Sequence, residues 1–180
     1  MTLPERDAPF WVFAYGSLML RPGFPHSDAC AAILHGYHRA LCVYSTHYRG
    51  TPERPGLVLG LDRGGSCRGR VMRVAREDSA DVIAYLNERE MVNRVYTPGT
   101  FGVRLDDGRR VRAYTYIVRR DHAKYCCKLP LDRAAEMVRQ GHGPAGSSLE
   151  YLENTVAHMN ELGITGGPLH KILELAKGGG

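Results

Sequence analysis

The segment Trp11-Val-Phe-Ala-Tyr-Gly-Ser-Leu18 gives the fold its first strand and its first exposed loop. Its apolar run predicts a buried β-strand over residues 10–15, which ends where Gly16 and Ser17 introduce a turn. Glycine permits close approach of a ligand to the backbone, and the serine adds a hydroxyl beside free N–H groups. The segment therefore fits an anion-binding loop, but it also fits an ordinary strand followed by a turn.

The composition of the chain is that of an ordinary globular protein. It has 180 residues, 43% of them hydrophobic, which is enough to form one domain with a buried core. The polar first nine residues lack the apolar core of a secretory signal, and no later run is long enough to cross a bilayer. We expect a cytoplasmic protein without a membrane partner. Its domain should cover residues 10–177, with tails at 1–9 and 178–180.

The charge pattern favours small anionic ligands over nucleic acid. The net charge is +5, and 20 of the 24 basic residues are arginines, which make directional contacts to carboxylates and phosphates. These residues are spread along the chain, and the densest groups, 109–112 and 119–120, bracket a predicted strand. A solvated face explains them more simply, so no nucleic-acid partner is expected.

The cysteines and histidines give only weak signals. The five cysteines are Cys30, Cys42, Cys67, Cys126 and Cys127. An odd number without framework spacing indicates reduced thiols. The adjacent Cys126 and Cys127 are interpreted as structural, although a redox role stays open. His35 and His38 form an HxxH pair, but Gly36 argues against the helical turn that would align two metal ligands.

Hydrophobic periodicity predicts strands in the first two-thirds of the chain and helices in the last third. The predicted strands are residues 10–15, two extended pieces within 29–45 with a bulge at Gly36 between them, 57–61, 67–74, 100–105 and 109–118. The predicted helices begin at Asp78, run over 131–140, begin at Ser147 or Ser148 and end at Gly163, and run over 168–177. A turn is expected at residues 62–65. Such segregation predicts an α+β fold with a curled sheet.

The helix that begins at Asp78 carries a carboxylate on its apolar stripe. Glu90 follows Leu86 at i+4 and should point inward, whereas Glu88 lies on another face. A partly buried carboxylate has a raised pKa, which suits a general base. Two other interpretations stay open: the helix ends before Glu90, or Glu90 pairs with Arg94 on a solvated end.

These motifs together resemble the ChaC-like γ-glutamylcyclotransferases. The family's opening strand and loop match Val12-Phe-Ala-Tyr-Gly-Ser-Leu18, and its catalytic Arg-Glu pair matches Arg89-Glu90. Further matching segments are residues 21–24, 36–39, 45, 49–50, 55–56, 67–69, 141–148 and 150–152. The resemblance runs in order through nearly the whole chain, and Arg-Glu-Met91 with Tyr96-Thr-Pro98 is closer to bacterial members.

Two single positions and one three-residue segment depart from the family pattern. Ala14 replaces a common glycine, Leu20 replaces a frequent tryptophan, and Met91-Val-Asn93 replaces the glycines of the animal enzymes. A strand position tolerates the methyl group of Ala14. Leu20 and Met91 border the expected pocket, so these departures bear on substrate preference more than on chemistry.

The resemblance implies a mixed β-sheet or barrel with flanking helices, and an enzyme that converts glutathione into 5-oxoproline and Cys-Gly. The α-amine of the glutamyl group attacks its own γ-carbonyl, so no enzyme nucleophile, metal or organic cofactor is required. Glu90 is the expected proton acceptor. The expected substrate-binding residues are Val12, Phe13, Ala14, Tyr15, Gly16, Ser17, Leu18 and Tyr151.

Two alternatives stay open beside this interpretation. One is a cyclotransferase for other γ-glutamyl amines, and the other is a non-catalytic module that binds γ-glutamyl groups or other anions. An inward-facing Glu90 argues against the second alternative, because a binding module gains little from a desolvated base. The sequence leaves the physiological substrate, the oligomeric state and the role of Tyr151 undetermined.

Overall fold

In the computed structural model, which describes residues 9–179, strands fill most of the first two-thirds of the chain and helices dominate the rest. The strands are β1 (Phe10–Ala14), β2 (Ala29–Ser45), β3 (Gly56–Val74), β4 (Tyr96–Leu105), β5 (Arg110–Val118), β6 (His142–Gly143) and β7 (Gly146–Ser147). The helices are α1 (Ser79–Glu90), α2 (Leu131–Gln140), α3 (Ser148–Glu161) and α4 (Pro168–Gly178). The tail expected at residues 1–9 lies outside the described residues except for Pro9, as does Gly180 at the other end.

The five long strands form a closed barrel in the order β1-β3-β2-β4-β5. Its sheet is mixed, because β1 pairs antiparallel with β3 and parallel with β5, while β4 and β5 form an antiparallel hairpin. All five residues of β1 are buried, which explains why this strand reads as a continuous apolar run instead of alternating with polar residues. The predicted α+β fold with a mixed sheet or barrel is confirmed.

The described residues divide into two compact units. The first unit comprises residues 9–39 and 61–119, and it contains β1, α1, β4 and β5. Its core is a cluster of buried side chains, namely Trp11, Phe13, Ala32, Leu34, Leu61, Cys67, Val71, Val103, Leu105 and Ala113. A hydrogen bond of 2.9 Å from the Thr115 hydroxyl to the Phe13 carbonyl reinforces the contact between β5 and β1.

The second unit comprises residues 40–60 and 120–179, and its helices α2, α3 and α4 pack on one another. Helix α3 buries Leu152, Val156 and Met159 on one face. Ser147 is the N-cap of α3, and its side chain accepts a hydrogen bond of 3.0 Å from the amide of Glu150. None of the described helices is long and apolar enough to span a membrane.

Several predicted boundaries differ from the structure. Residues 57–61 and 67–74 are not two strands joined by a turn, because β3 runs without interruption from Gly56 to Val74. Gly64 and Gly65 lie within this strand with φ of 101° and 66°, a left-handed conformation that glycine adopts readily. Residues 29–45 likewise form one strand, in which Gly36 has a φ of 90°.

Other boundaries agree more closely. Helix α2 has the predicted bounds, and α4 extends one residue past the predicted Lys177. Strand β4 begins at Tyr96, earlier than the predicted Thr100. The short β6–β7 hairpin was not predicted, because two residues per strand give no periodic signal.

Candidate functional site

The loop after β1 presents a row of free backbone donors. Residues Ser17–Met19 form a 3₁₀ turn in which the amide of Met19 donates to the Gly16 carbonyl over 2.9 Å. The amides of Gly16, Ser17 and Leu18 have no acceptor within residues 9–179. Ser17 is exposed, Gly16 is half-buried and Leu18 is buried, so the segment is open to solvent at Gly16 and Ser17. Successive N–H groups of this kind form a concave positive surface that suits an anion.

The side chains of the preceding strand, β1, are buried and are not part of the open surface of the loop. Val12, Phe13 and Ala14 are each at most 1% exposed, and the backbone of β1 is paired with β3 and β5. Tyr15 is partly buried against the core of the first unit. These residues therefore form a rigid support, while the open part of the segment begins at Gly16.

Arg89 connects the loop to the last turn of α1. One terminal nitrogen, Nη2, donates to the Ser17 hydroxyl oxygen over 2.9 Å. The other, Nη1, donates to the Arg21 carbonyl over 3.0 Å and to the Tyr85 hydroxyl over 3.3 Å. Because the Ser17 oxygen accepts from Arg89, its own proton is directed elsewhere and can be donated to a ligand.

Tyr85 holds the loop against the helix at a second point. Gly23 has a φ of 73°, and a Cβ at this position would overlap the Tyr85 hydroxyl. The ring of Phe24 packs edge-on against Tyr85, with 6.4 Å between the ring centroids. Only glycine satisfies both the left-handed conformation and this close approach.

Glu90 is the last residue of α1, and its side chain is 21% exposed. Burial raises the pKa of this carboxyl, and the positive charge of Arg89 opposes the rise. The Arg89 Nε lies 3.5 Å from Glu90 Oε1. The helix therefore includes Glu90, its ion-pair partner is Arg89 and not Arg94, and Glu88 is exposed as expected.

A polar cluster that sequence reasoning missed lies beside Glu90. The hydroxyls of Tyr114 and Tyr116 both donate to Oδ1 of Asn87, over 3.2 and 2.8 Å. Burial raises the pKa of Tyr116, and Tyr114 and the charge of Glu90 raise it further. The two tyrosines are thus protonated donors that fix Asn87, one turn before Glu90. Their i, i+2 spacing in β5 was a signal for a shared face, but it did not identify the partner.

Tyr151, the remaining predicted site residue, belongs to the second unit. Its hydroxyl accepts a hydrogen bond of 3.1 Å from the amide of Leu59. The guanidinium of Arg49 lies over its ring at 5.5 Å from the centroid. Tyr151 is therefore held by contacts on both its ring and its hydroxyl.

The histidines and cysteines show no clustered arrangement. Among residues 9–179, no group of three or more His, Cys, Asp or Glu side chains has the arrangement of a metal site. His38 makes a hydrogen bond of 2.9 Å through Nδ1 with the Gly64 carbonyl, while His35 is exposed. No disulfide links the five cysteines, all of which lie within the described residues, and burial raises the pKa of the Cys126 thiol to about 11.

Comparisons with known proteins agree with one another. The model of the ChaC-like protein family matches residues 10–177. The chain is 33% identical over 171 residues to the glutathione-specific gamma-glutamylcyclotransferase of Escherichia coli (strain K12), which covers 95% of this chain and 74% of that protein. It is 28% identical over 161 residues to gamma-glutamylcyclotransferase 2-3 of Arabidopsis thaliana, covering 85% of this chain and 81% of the relative.

A solved structure shares the fold. The crystal structure of the γ-glutamyl cyclotransferase specific to glutathione from yeast superposes with a TM-score of 0.83 and 25% sequence identity. The superposition covers 96% of this chain and 97% of the yeast chain.

Proposed function

Because the chain belongs to the ChaC-like protein family, we propose that it cleaves the γ-glutamyl bond of glutathione by intramolecular cyclisation. The products are 5-oxoproline and Cys-Gly. The observation that carries the proposal is the junction of α1 with the Tyr15–Leu18 loop. There, the mostly buried carboxylate of Glu90 and the free amides of the loop are linked through Arg89.

The reaction needs a base, because an α-amino group is largely protonated at neutral pH, with a pKa near 8. Glu90 takes a proton from the ammonium, and the freed amine attacks the γ-carbonyl carbon of its own glutamyl group. The new C–N bond closes the five-membered ring, and the bond to the cysteine nitrogen breaks. Glu90 gives the proton to that leaving nitrogen, and the ring nitrogen releases its second excess proton, which the freed amine of Cys-Gly takes up, so water is not consumed.

The raised pKa of Glu90 serves this shuttle. A carboxylate with an ordinary pKa near 4.3 is a weak base toward an ammonium, and each step of its pKa toward that of the ammonium reduces the mismatch. Arg89 opposes the rise, because its positive charge favours the ionised form of the carboxyl. The ionised form also attracts the ammonium and orients it.

The loop supplies the anion-binding half of the site. The amides of Gly16, Ser17 and Leu18 receive the α-carboxylate or the developing oxyanion, a stabilisation of about 3 kcal/mol for an oxyanion donor in comparable sites. Val12, Phe13 and Ala14 support this loop through β1. Tyr151 stays a proposed substrate-binding residue of the second unit.

The direct test is an assay of the purified chain with glutathione. We expect 5-oxoproline and Cys-Gly in equal amounts, without any added metal or organic cofactor. A shift in thermal stability with glutathione but no product over hours would instead support a binding module.

A second candidate is a cyclotransferase for other γ-glutamyl amines. Leu20 is 40% exposed and Val92 is 55% exposed, and both lie at positions where the family pattern differs. A panel that includes γ-glutamyl-lysine tests this candidate, which predicts faster 5-oxoproline release from the lysine derivative than from glutathione.

We place the reaction in the cytoplasm. Glutathione keeps thiols reduced there, and the five cysteines of this chain have no disulfide-framework spacing.

A further inference from the structure

The side chain of Arg39 contacts Tyr15, at the start of the loop that follows β1, and Met19, immediately after Leu18 at its end. Its Nε donates to the Tyr15 carbonyl over 2.6 Å, at the point where the chain leaves β1. Its Nη2 lies 3.8 Å from Met19 Sδ, at the end of the 3₁₀ turn, and donates to the Arg68 carbonyl of β3 over 2.8 Å. Strands β2 and β3 and both ends of the loop therefore meet at one guanidinium.

The acceptors of Arg39 are unusual for an arginine that is only partly exposed. They are two carbonyl oxygens and a thioether, and within residues 9–179 no carboxylate pairs with this guanidinium. Carbonyl dipoles orient the guanidinium but leave its full positive charge uncompensated. An anionic ligand on the loop would lie in the field of this charge.

The hydrogen bond to Tyr15 also determines where the next amide points. The Tyr15 carbonyl and the Gly16 N–H belong to one planar peptide, and no described peptide bond is cis. In a trans peptide the C=O and N–H groups point in opposite directions. Because Arg39 draws the carbonyl toward itself, the Gly16 N–H is directed away from the guanidinium, and it has no acceptor within the described residues.

We propose that Arg39 is a positioning residue that locks the Tyr15–Gly16 peptide so that the Gly16 N–H faces the substrate carboxylate. This role rests on the proposed function, which supplies the carboxylate. The charge-assisted bond also polarises the peptide, so that its N–H becomes a stronger donor. Arg39 acts on the substrate through the Gly16 amide and through the field of its charge, without a direct contact.

The test compares Arg39→Gln with the wild-type chain. Loss of a hydrogen bond to a charged group predicts a rise in KM for glutathione of about 10-fold or more, with kcat changed less than about 3-fold. The acid limb of the pH profile should stay in place, because Glu90 is untouched. Arg112→Gln is the control, since Arg112 also donates to a backbone carbonyl, that of Thr100, over 2.9 Å.

A second readout does not depend on turnover. In the wild-type chain, 5-oxoproline retains the carboxylate and should shift the amide resonance of Gly16 in a ¹H–¹⁵N spectrum. Arg39→Gln should move this resonance in the free protein and abolish its response to 5-oxoproline. Arg39→Lys keeps the charge without the planar fork, and it should restore only part of the response.

The outcomes separate the two proposals. If the wild-type chain forms no 5-oxoproline, the proposed function fails, while the Gly16 response still tests the role of Arg39. If the wild-type chain is active but Arg39→Gln keeps its KM and its Gly16 response, the role of Arg39 is overturned and the function stands. Should Arg39→Gln not fold, wild-type values of both quantities in Arg39→Lys overturn the role equally.

Discussion

Two of the Arg–Glu ion pairs in the described residues differ mainly in the burial of their glutamates. In the first unit, Arg89 Nε lies 3.5 Å from Glu90 Oε1, and in the second, Arg49 Nη1 lies 3.8 Å from Glu150 Oε2. The two arginine side chains are similarly exposed, at 27% and 22%. The glutamates are not, because Glu90 is 21% exposed and Glu150 is 59% exposed.

The surroundings of each ion pair, and not the types of its two residues, therefore determine the role of its carboxylate. Burial raises the pKa of Glu90 and keeps its charge poorly hydrated, which favours proton transfer. Glu150 lies in the first turn of α3, where its amide completes the Ser147 cap and its charge complements the helix dipole. We therefore propose a chemical role for the first pair and a helix-stabilising role for the second.

The largest effect is expected from Glu90→Gln. The substitution keeps the shape of the side chain but removes the proton acceptor, so kcat should fall by about 1,000-fold, within the range typical of a general base. The rate of 5-oxoproline release measures this loss, and circular dichroism checks that the fold is retained.

Two exposed glutamates, Glu88 and Glu150, serve as matched controls. Glu88→Gln changes an exposed carboxylate two residues earlier on the same helix, and Glu150→Gln changes the exposed pair. Both should keep kcat within about 2-fold of wild type, as is usual for surface substitutions. Near-normal turnover by a folded Glu90→Gln protein would remove Glu90 from the mechanism.

Sequence reasoning identified the elements that bear the site but not all of their contacts. The apolar run of β1 and the stripe of α1 are local patterns, so the strand, the helix and the inward face of Glu90 were predictable. The family and the mixed barrel, expected from the resemblance, are confirmed. The degree of burial of Glu90 was not predictable, because periodicity assigns a face and not the neighbours that cover it.

The contacts that sequence reasoning missed join distant parts of the chain. Asn87 meets Tyr116 across 29 residues, and Arg39 meets Tyr15 across 24. No local pattern encodes such pairs. The continuity of β3 was missed because a local pattern was misleading. Gly64 and Gly65 resemble a turn signal, but they lie within one strand.

The next largest effect is expected from Arg89→Met. It removes the donors to Ser17 and Arg21, and kcat/KM should fall by about 10- to 100-fold. It also removes the positive charge that lowers the pKa of Glu90, so that pKa rises further. The acid limb of the pH–rate profile should therefore move to higher pH. Arg49→Met should leave this limb where it is, and an unmoved limb in Arg89→Met would contradict the coupling.

The raised pKa of Glu90 also predicts how stability depends on pH. A carboxyl with a higher pKa in the folded state binds more protons when folded, so stability falls as pH rises from the unfolded pKa through the folded pKa. Glu90→Gln removes this dependence. The melting temperature of the variant minus that of wild type should increase from pH 4 to pH 8. A difference that stays constant over this range would contradict a raised pKa.

The smallest effect is expected from breaking the exposed pair. Exposed ion pairs contribute about 0–1 kcal/mol, so Glu150→Gln should lower the free energy of unfolding by no more than this amount. The loss should shrink further in 1 M salt, where the Debye length of about 3 Å is shorter than the distance between the charged groups. Urea unfolding at low and high salt measures both quantities. A larger loss that resists salt would mean that the Arg49–Glu150 pair is as sheltered as Arg89–Glu90, and exposure would no longer explain the different roles of the two glutamates.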